Sequence, residues 1–119
     1  MSRVLVIDDV PSQQDLICRM LQEGGISVIR ASSGEEGLNR IRKEKPDLLI
    51  LDIVMPRMNG YEVLRELRAD AATKRLPVVL CTTKGTDYDK SWGMDMGADA
   101  YITKPFDETQ LLNTVRRLL

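Results

Sequence analysis

Polar side chains with possible chemical roles lie at or just after the ends of the short apolar runs of this sequence. In chain order they are Asp8 and Asp9, Asp52, Thr82 and Lys104. Three carboxylates held together repel one another unless a cation lies among them. Oxygen ligands without histidine or thiolate suit a hard ion, and Mg²⁺ fits best because it keeps water and binds phosphate oxygens. These residue types predict a phosphoryl-handling site in which a carboxylate is the nucleophile and two cationic centres stabilise the transferred group.

Each of these residues also has an ordinary structural explanation. An aspartate at the end of a strand commonly caps the next helix, and Asp8 and Asp9 precede Pro11, which suits a first helical turn. Lys104 could be a solvated surface lysine, and Thr82 could be a turn residue at a strand end. The chemical interpretation therefore requires a fold that brings all of these side chains to one place.

The elements that would position them are short, strand-like apolar runs that alternate with amphipathic segments. The predicted strands cover residues 3–8, 26–30, 47–52, 77–82 and 99–103. Their apolar character is nearly continuous, which indicates burial on both faces of a mainly parallel sheet.

Five helical segments follow these strands. Pro11 opens the first, Ser33 and Glu36 have the spacing of a capping box at the second, and Asp107 caps the last. Right-handed crossovers lead to a doubly wound α/β sheet. We predict one flavodoxin-like domain over residues 1–119, with five parallel strands in the order 2-1-3-4-5 and five helices. Ligands bind beyond the carboxyl ends of such strands, where the polar residues lie.

Composition narrows the function classes. The chain has 119 residues, 17 Lys and Arg against 18 Asp and Glu, and no histidine, so it predicts one domain without imidazole chemistry of its own. The cations are not pooled on one segment, which argues against a nucleic-acid partner. No apolar run approaches the ~20 residues of a membrane span, and no signal peptide follows Met1, so we expect a cytoplasmic protein without a membrane partner. Cys18 and Cys81 lie in apolar surroundings typical of a core.

Four motifs resemble the receiver domains of bacterial two-component response regulators, the chemotaxis-regulator family. They are VLVIDD at 4–9, DLLILDIVMPRMNGYEVLRELR at 47–68, VVLCTTK at 78–84 and GADAYITKPF at 97–106. The resemblance covers essentially the whole chain. It implies a signalling switch that takes a phosphoryl group from a histidine kinase, and a regulatory phosphoacceptor instead of a classical enzyme.

The resemblance also implies a role for each site residue. Asp52 is similar to the phosphoacceptor of the family, and Asp9 to a direct Mg²⁺ ligand, with Asp8 acting mostly through water. The main-chain carbonyl of Val54 would be a further metal ligand.

The remaining residues would respond to the phosphoryl group. Lys104 would pair with one phosphoryl oxygen across a cis Lys104–Pro105 peptide, and Thr82 would bond another oxygen and move. Tyr101 would then turn inward as an aromatic switch. This motion would reshape the face made by helix four, strand five and helix five, where a downstream protein is expected to bind.

The segment CTTKGTDYDKSWGMDMGADAYITKPF at 81–106 resembles stand-alone regulators of type IV pilus motility, including those of cyanobacterial phototaxis.

Three positions depart from the commonest family pattern, namely Val54, Thr83 and Lys84. Valine cannot orient the water that would hydrolyse a phosphorylated aspartate, and a protonated lysine cannot accept a proton from that water. We therefore expect slow self-dephosphorylation.

Other functions stay open at this point. A degenerate receiver could act as a phosphorylation-independent binding module, although such chains usually lack part of the acid, threonine and lysine set that is complete here. An aspartate-nucleophile phosphatase of the haloacid-dehalogenase type needs a second aspartate two residues after the nucleophile, where Val54 stands. A flavodoxin would need a phosphate-binding loop rich in Ser, Thr and Gly after the first strand, where two aspartates lie.

Overall fold

The computed structural model describes residues 2–119. Met1, which the sequence prediction included in the domain, lies outside the described residues. The strands are β1 (Arg3–Ile7), β2 (Ser27–Ala31), β3 (Leu48–Leu51), β4 (Val78–Thr82) and β5 (Ala100–Thr103). The helices are α1 (Pro11–Glu23), α2 (Gly34–Glu44), α3 (Gly60–Ala69), α4 (Asp87–Asp95) and α5 (Glu108–Leu118).

The five strands form one sheet in the order β2-β1-β3-β4-β5, with every neighbouring pair parallel. The predicted fold class, strand order and number of helices are confirmed. The predicted strand limits are wrong by about one residue at several ends. Ile26, for example, belongs to the turn after α1 because its amide donates to the Leu21 carbonyl (3.0 Å), and β2 begins one residue later.

Two apolar layers cover the sheet, because successive side chains of a strand point to opposite faces. Leu5 and Ile7 of β1 belong to the layer under α2 and α3, while Val4 and Val6 belong to the layer under α1 and α5. Both layers contain side chains from the central strands, which are buried on both faces as continuous apolar runs predict.

Helix caps fix where the helices begin. Ser33 accepts a hydrogen bond from the Glu36 amide (3.1 Å), as predicted, but the Glu36 carboxylate returns its bond to the Ser32 amide and not to Ser33. Asp107 caps α5 by accepting from the Gln110 amide (2.7 Å). No helix within residues 2–119 combines the length and apolar character needed to cross a bilayer.

Cys18 and Cys81 are both buried with free thiols, which agrees with the core assignment. Burial raises the pKa of the Cys81 thiol to about 12.

Candidate functional site

The predicted site residues meet at the carboxyl edge of the sheet. Asp8 and Asp9 follow β1, Asp52 follows β3, Thr82 ends β4 and Lys104 follows β5. One oxygen from each of the three carboxylates lies within 4.8 Å of the others. These residues lie close together because β1, β3, β4 and β5 are neighbouring parallel strands whose carboxyl ends share one edge of the sheet.

The loop after β1 turns tightly at the acidic pair. The Asp8 carboxylate accepts a hydrogen bond from the Val10 amide (3.0 Å). Val10 itself occupies the N-cap position of α1, and no side chain caps that helix. The explanation of Asp8 and Asp9 as caps of α1 is therefore wrong, and both carboxylates are available to the site.

Lys104 lies between two of the carboxylates. Its ammonium nitrogen is 2.7 Å from Oδ2 of Asp8 and 3.4 Å from Oδ2 of Asp52. The Lys104 side chain is only 7% exposed, which contradicts the explanation of Lys104 as a solvated surface lysine. The Lys104 ammonium could also pair with a further anion at this place once a cation offsets the charge of the carboxylates.

Opposing influences act on the Asp52 carboxyl. Burial raises the pKa of this carboxyl above its ordinary value, and the Asp8 charge raises it further. Three groups lower the pKa: the Lys104 charge, the Thr82 hydroxyl and the Val54 amide. Burial is the largest influence, and the pKa is raised overall. For Lys104, burial alone would lower the pKa, but the Asp8 hydrogen bond and the Asp52 charge outweigh it, and the pKa is raised. Lys104 therefore stays a cation at neutral pH.

The cluster fits a divalent cation. When all are ionised, three carboxylates and the Lys104 ammonium leave two net negative charges at the site. Oδ1 of Asp9 is buried and has no hydrogen-bond partner, which is unfavourable unless something else coordinates it. The donor set contains only oxygen, as Mg²⁺ prefers. The Val54 main chain lies beside Asp52, because its amide donates to Asp52 Oδ1 (3.3 Å); its carbonyl stays a predicted ligand.

Thr82 and Tyr101 are linked through one residue. The fully buried Thr82 side chain accepts a hydrogen bond from the Lys84 amide (3.4 Å), and the Tyr101 hydroxyl donates to the Lys84 carbonyl (2.5 Å). The Tyr101 ring is half-buried and packs against the apolar layer under α2 and α3. The ring already packs inward in this structure, so the inward motion predicted for Tyr101 stays a prediction. Its connection to Thr82 runs through the main chain of Lys84.

A groove of about 460 Å³ opens beside Asp52. Its walls are mostly apolar and come from the start of α1 and the loops after β3, β4 and β5, namely Val10, Gln13, Leu16, Asp52, Val54, Thr83, Lys104, Pro105 and Phe106.

The predicted cis Lys104–Pro105 peptide is confirmed.

The sequence interpretation missed Gln14. Among the described residues four polar or charged residues are buried, and the other three are the site residues Asp8, Asp52 and Thr82. The Gln14 side-chain amide donates to the Ala31 carbonyl (2.7 Å) and to the Asp8 carbonyl (3.4 Å), so it holds the ends of β1 and β2 to α1. A usable signal was its helical spacing with Ile17 on the inward face of α1.

We expect Gln14→Met to weaken both Mg²⁺ binding and Asp52 phosphorylation by a few-fold. Methionine keeps the length of the side chain but cannot donate to the Asp8 carbonyl, so the Asp8 and Asp9 loop loses its tether. Titration calorimetry and a phosphorylation time course would measure the two effects. Gln22→Met, on the exposed surface of α1, is the matched control. Unchanged binding and phosphorylation in folded Gln14→Met would remove Gln14 from the site.

Comparisons with known proteins identify the family of the chain. The sequence profile of the response regulator receiver domain matches residues 4–116. The chain is 43% identical over 119 residues to protein PilH of Pseudomonas aeruginosa, covering all of this chain and 98% of PilH. It is 41% identical to the DNA-binding dual master transcriptional regulator RpaA of Synechocystis, but spans only 49% of that protein.

Two solved structures are similar over nearly their full lengths. The Vibrio cholerae chemotaxis protein CheY4 superimposes with a TM-score of 0.92 at 34% identity, covering 100% of this chain and 99% of that one. A response regulator from Chloroflexus aurantiacus gives a TM-score of 0.94 at 34% identity, covering 98% and 96%.

Proposed function

The chain belongs to the response regulator receiver domain family, and from this premise we propose that Asp52 accepts a phosphoryl group from the phosphohistidine of a sensor kinase. Receivers of this kind are phosphorylation-dependent signalling switches, and this chain is one. The observation that carries the assignment to Asp52 is its contact with Lys104 (3.4 Å), beside two further carboxylates and an open groove.

The transfer is a displacement at phosphorus. A carboxylate oxygen of Asp52 forms the new P–O bond as the P–N bond of phosphohistidine breaks, and the leaving imidazole takes the electron pair and a proton from solvent water. Lys104 pairs with a phosphoryl oxygen, and its hydrogen bond to Asp8 (2.7 Å) orients the ammonium for that contact.

Asp8, Asp9, Asp52 and the Val54 carbonyl would hold Mg²⁺. The unpaired Asp9 oxygen and the two net negative charges support this ligand set. When bound, Mg²⁺ neutralises charge on the phosphoryl oxygens during transfer. Without it, the carboxylates would repel the incoming anion.

Thr82 would convert phosphorylation into a surface change. A phosphoryl oxygen that bonds the Thr82 hydroxyl draws it away from the Lys84 amide, which it contacts at 3.4 Å. The Tyr101 hydroxyl donates to the carbonyl of that same Lys84. A movement of the loop between β4 and α4 (residues 83–86) would therefore also move Tyr101 of β5. Phosphate favours the active population only because it bonds Thr82 and Lys104 better in that state.

The experiment that tests this function compares backbone amide NMR spectra before and after adding acetyl phosphate and Mg²⁺. We expect shifts at the site and in α4, β5 and α5, the face predicted to bind the downstream partner. Shifts confined to α2 and α3 would contradict the proposed output face. Unchanged spectra would favour the alternative of a phosphorylation-independent binding module.

We extend the proposal to the biological setting. A role in the regulation of motility or taxis is supported by the match to PilH and by the likeness to a chemotaxis protein. DNA binding is named for RpaA, of which this chain spans 49%, and the proposal assigns none to these 119 residues. A cytoplasmic location belongs to the same proposal, since kinases load their histidine from ATP, a nucleotide of the cell interior.

The phosphoryl group on Asp52 is expected to hydrolyse slowly. Val54 is 54% exposed at the groove, where it occupies the approach of water without orienting it, and the neighbouring Thr83 adds bulk. We expect Val54→Asn to shorten the lifetime several-fold, because an amide can hold the attacking water. The decay of phosphorylated protein after donor removal, followed by intact mass, measures this.

Val10→Asn supplies the control, since Val10 is another exposed valine of the same groove. Its decay rate should match that of the natural chain. If Val54→Asn decays no faster than Val10→Asn, the lifetime argument is wrong.

A further inference from the structure

Helix α4 is held against the sheet at a residue without a side chain. Gly93 is the only buried residue of α4, whereas every other helix buries at least one large apolar side chain. Glycine destabilises the interior of a helix relative to alanine. Its position in the last turn of α4 therefore calls for an explanation from packing.

The space beside Gly93 is filled by the side chains of Tyr101 and Leu80. A Cβ atom at Gly93 would lie 3.0 Å from Cδ2 and Cε2 of the Tyr101 ring and 2.7 Å from Cδ1 of Leu80. Both distances are shorter than ordinary carbon contacts. The Tyr101 ring thus packs directly on the α4 backbone, in the same position that lets its hydroxyl reach the Lys84 carbonyl.

A second glycine contact lies two residues further along β5. Thr103 is on the same face of β5 as Tyr101, because side chains alternate along a strand. A Cβ at Gly85 would lie 2.7 Å from the Thr103 methyl carbon. The Thr103 hydroxyl is buried without a partner, so this contact is one of shape and not of hydrogen bonding. Two side chains on one face of β5 therefore contact glycines: Tyr101 contacts Gly93 of α4, and Thr103 contacts Gly85 in the loop between β4 and α4.

We propose that Gly93 is a positioning residue for the Tyr101 switch. The missing Cβ creates the space into which the ring fits, and a side chain there forces the ring outward, away from Lys84. The consequence for signalling rests on the proposed function. The packing relation between the two residues does not, and it can be measured in the unphosphorylated protein.

The test is a set of urea unfolding curves for Gly93→Ala in three backgrounds. With natural Tyr101, we expect alanine to lower the unfolding midpoint, despite its better helix propensity. Tyr101→Phe keeps the ring, so the same loss is expected. Tyr101→Ala removes the ring, and Gly93→Ala should then leave the midpoint unchanged or raise it. Ser91→Ala, on the exposed side of α4, is the control and should not lower the midpoint in any background.

A loss of similar size in all three backgrounds would overturn the proposal, because the cost would then come from Leu80 or from the helix itself. If Gly93→Ala does not fold with natural Tyr101, recovery of folding by Tyr101→Ala supports the proposal and persistent misfolding contradicts it.

The signalling consequence is read separately from the fluorescence of Trp92, whose ring lies edge-on to Tyr61 at 6.4 Å. We expect acetyl phosphate and Mg²⁺ to change this signal in the natural chain and to change it less in Gly93→Ala at equal phosphorylation. An equal change in both would overturn the link to switching. Failure of the natural chain to become phosphorylated would overturn the proposed function and leave the unfolding result intact.

Discussion

Asp52→Asn is expected to abolish phosphorylation by acetyl phosphate, with no added phosphoryl mass after a reaction that labels the natural chain. A neutral amide is a poor nucleophile towards phosphorus, and its loss of charge also weakens the Mg²⁺ site. Intact-mass spectrometry measures the effect. Asp95→Asn makes the same chemical change at an exposed aspartate of α4 and should be labelled like the natural chain.

The same substitution should stabilise the fold. Burial holds the pKa of the Asp52 carboxyl above its ordinary value, so at neutral pH the ionised group is less favourable in the folded chain than in the unfolded one. Asparagine removes this charge, and a higher urea midpoint is expected. Full labelling of Asp52→Asn would show that another residue is the phosphoacceptor.

Asp9→Ala is expected to lower Mg²⁺ affinity by more than about 10-fold and to suppress phosphorylation accordingly. Removing a group that only supports a ligand typically costs about 10-fold or more in metal affinity, so losing a direct ligand should cost at least that. The buried, unpaired Asp9 oxygen is the reason for expecting this ligand role. Calorimetric titration with MgCl₂, and labelling across a range of Mg²⁺ concentrations, would measure both effects.

Asp95→Ala controls for the loss of one negative charge. It should bind Mg²⁺ like the natural chain, because Asp95 lies on exposed α4 away from the cluster. If Asp9→Ala bound Mg²⁺ with unchanged affinity, Asp9 would not be a ligand and the proposed ligand set would be wrong.

The fold was predictable from the sequence because the signals were local and strong. Runs such as Leu48–Leu51 are apolar at every position, which suits only strands buried on both faces. Asp52 and Lys104 could be assigned to one edge because they follow strands of a parallel sheet. These signals did not define the exact strand ends, because hydrogen bonding continues past them: the amide of Asp52 donates to the Ile7 carbonyl (3.1 Å) after β3 has ended.

Tertiary contacts determined what the sequence did not reveal. Gln14 and Gln22 are the same residue type on the same helix, yet only Gln14 faces the ends of β1 and β2. Nothing local distinguishes Gly93 from a flexible position until the Tyr101 ring is seen against it. The edge-on contact between the Trp92 ring of α4 and the Tyr61 ring of α3, with centroids 6.4 Å apart, is likewise seen only in the structure.

Incubation of the natural chain with acetyl phosphate, with and without Mg²⁺, would show whether Asp52 is the phosphoacceptor, with the product located by intact mass and peptide mapping. We expect a single phosphoryl group that is added only with Mg²⁺, lies on Asp52, and is lost in mild base as an acyl phosphate is. No label in the presence of Mg²⁺, or a label on any residue other than Asp52, would contradict it.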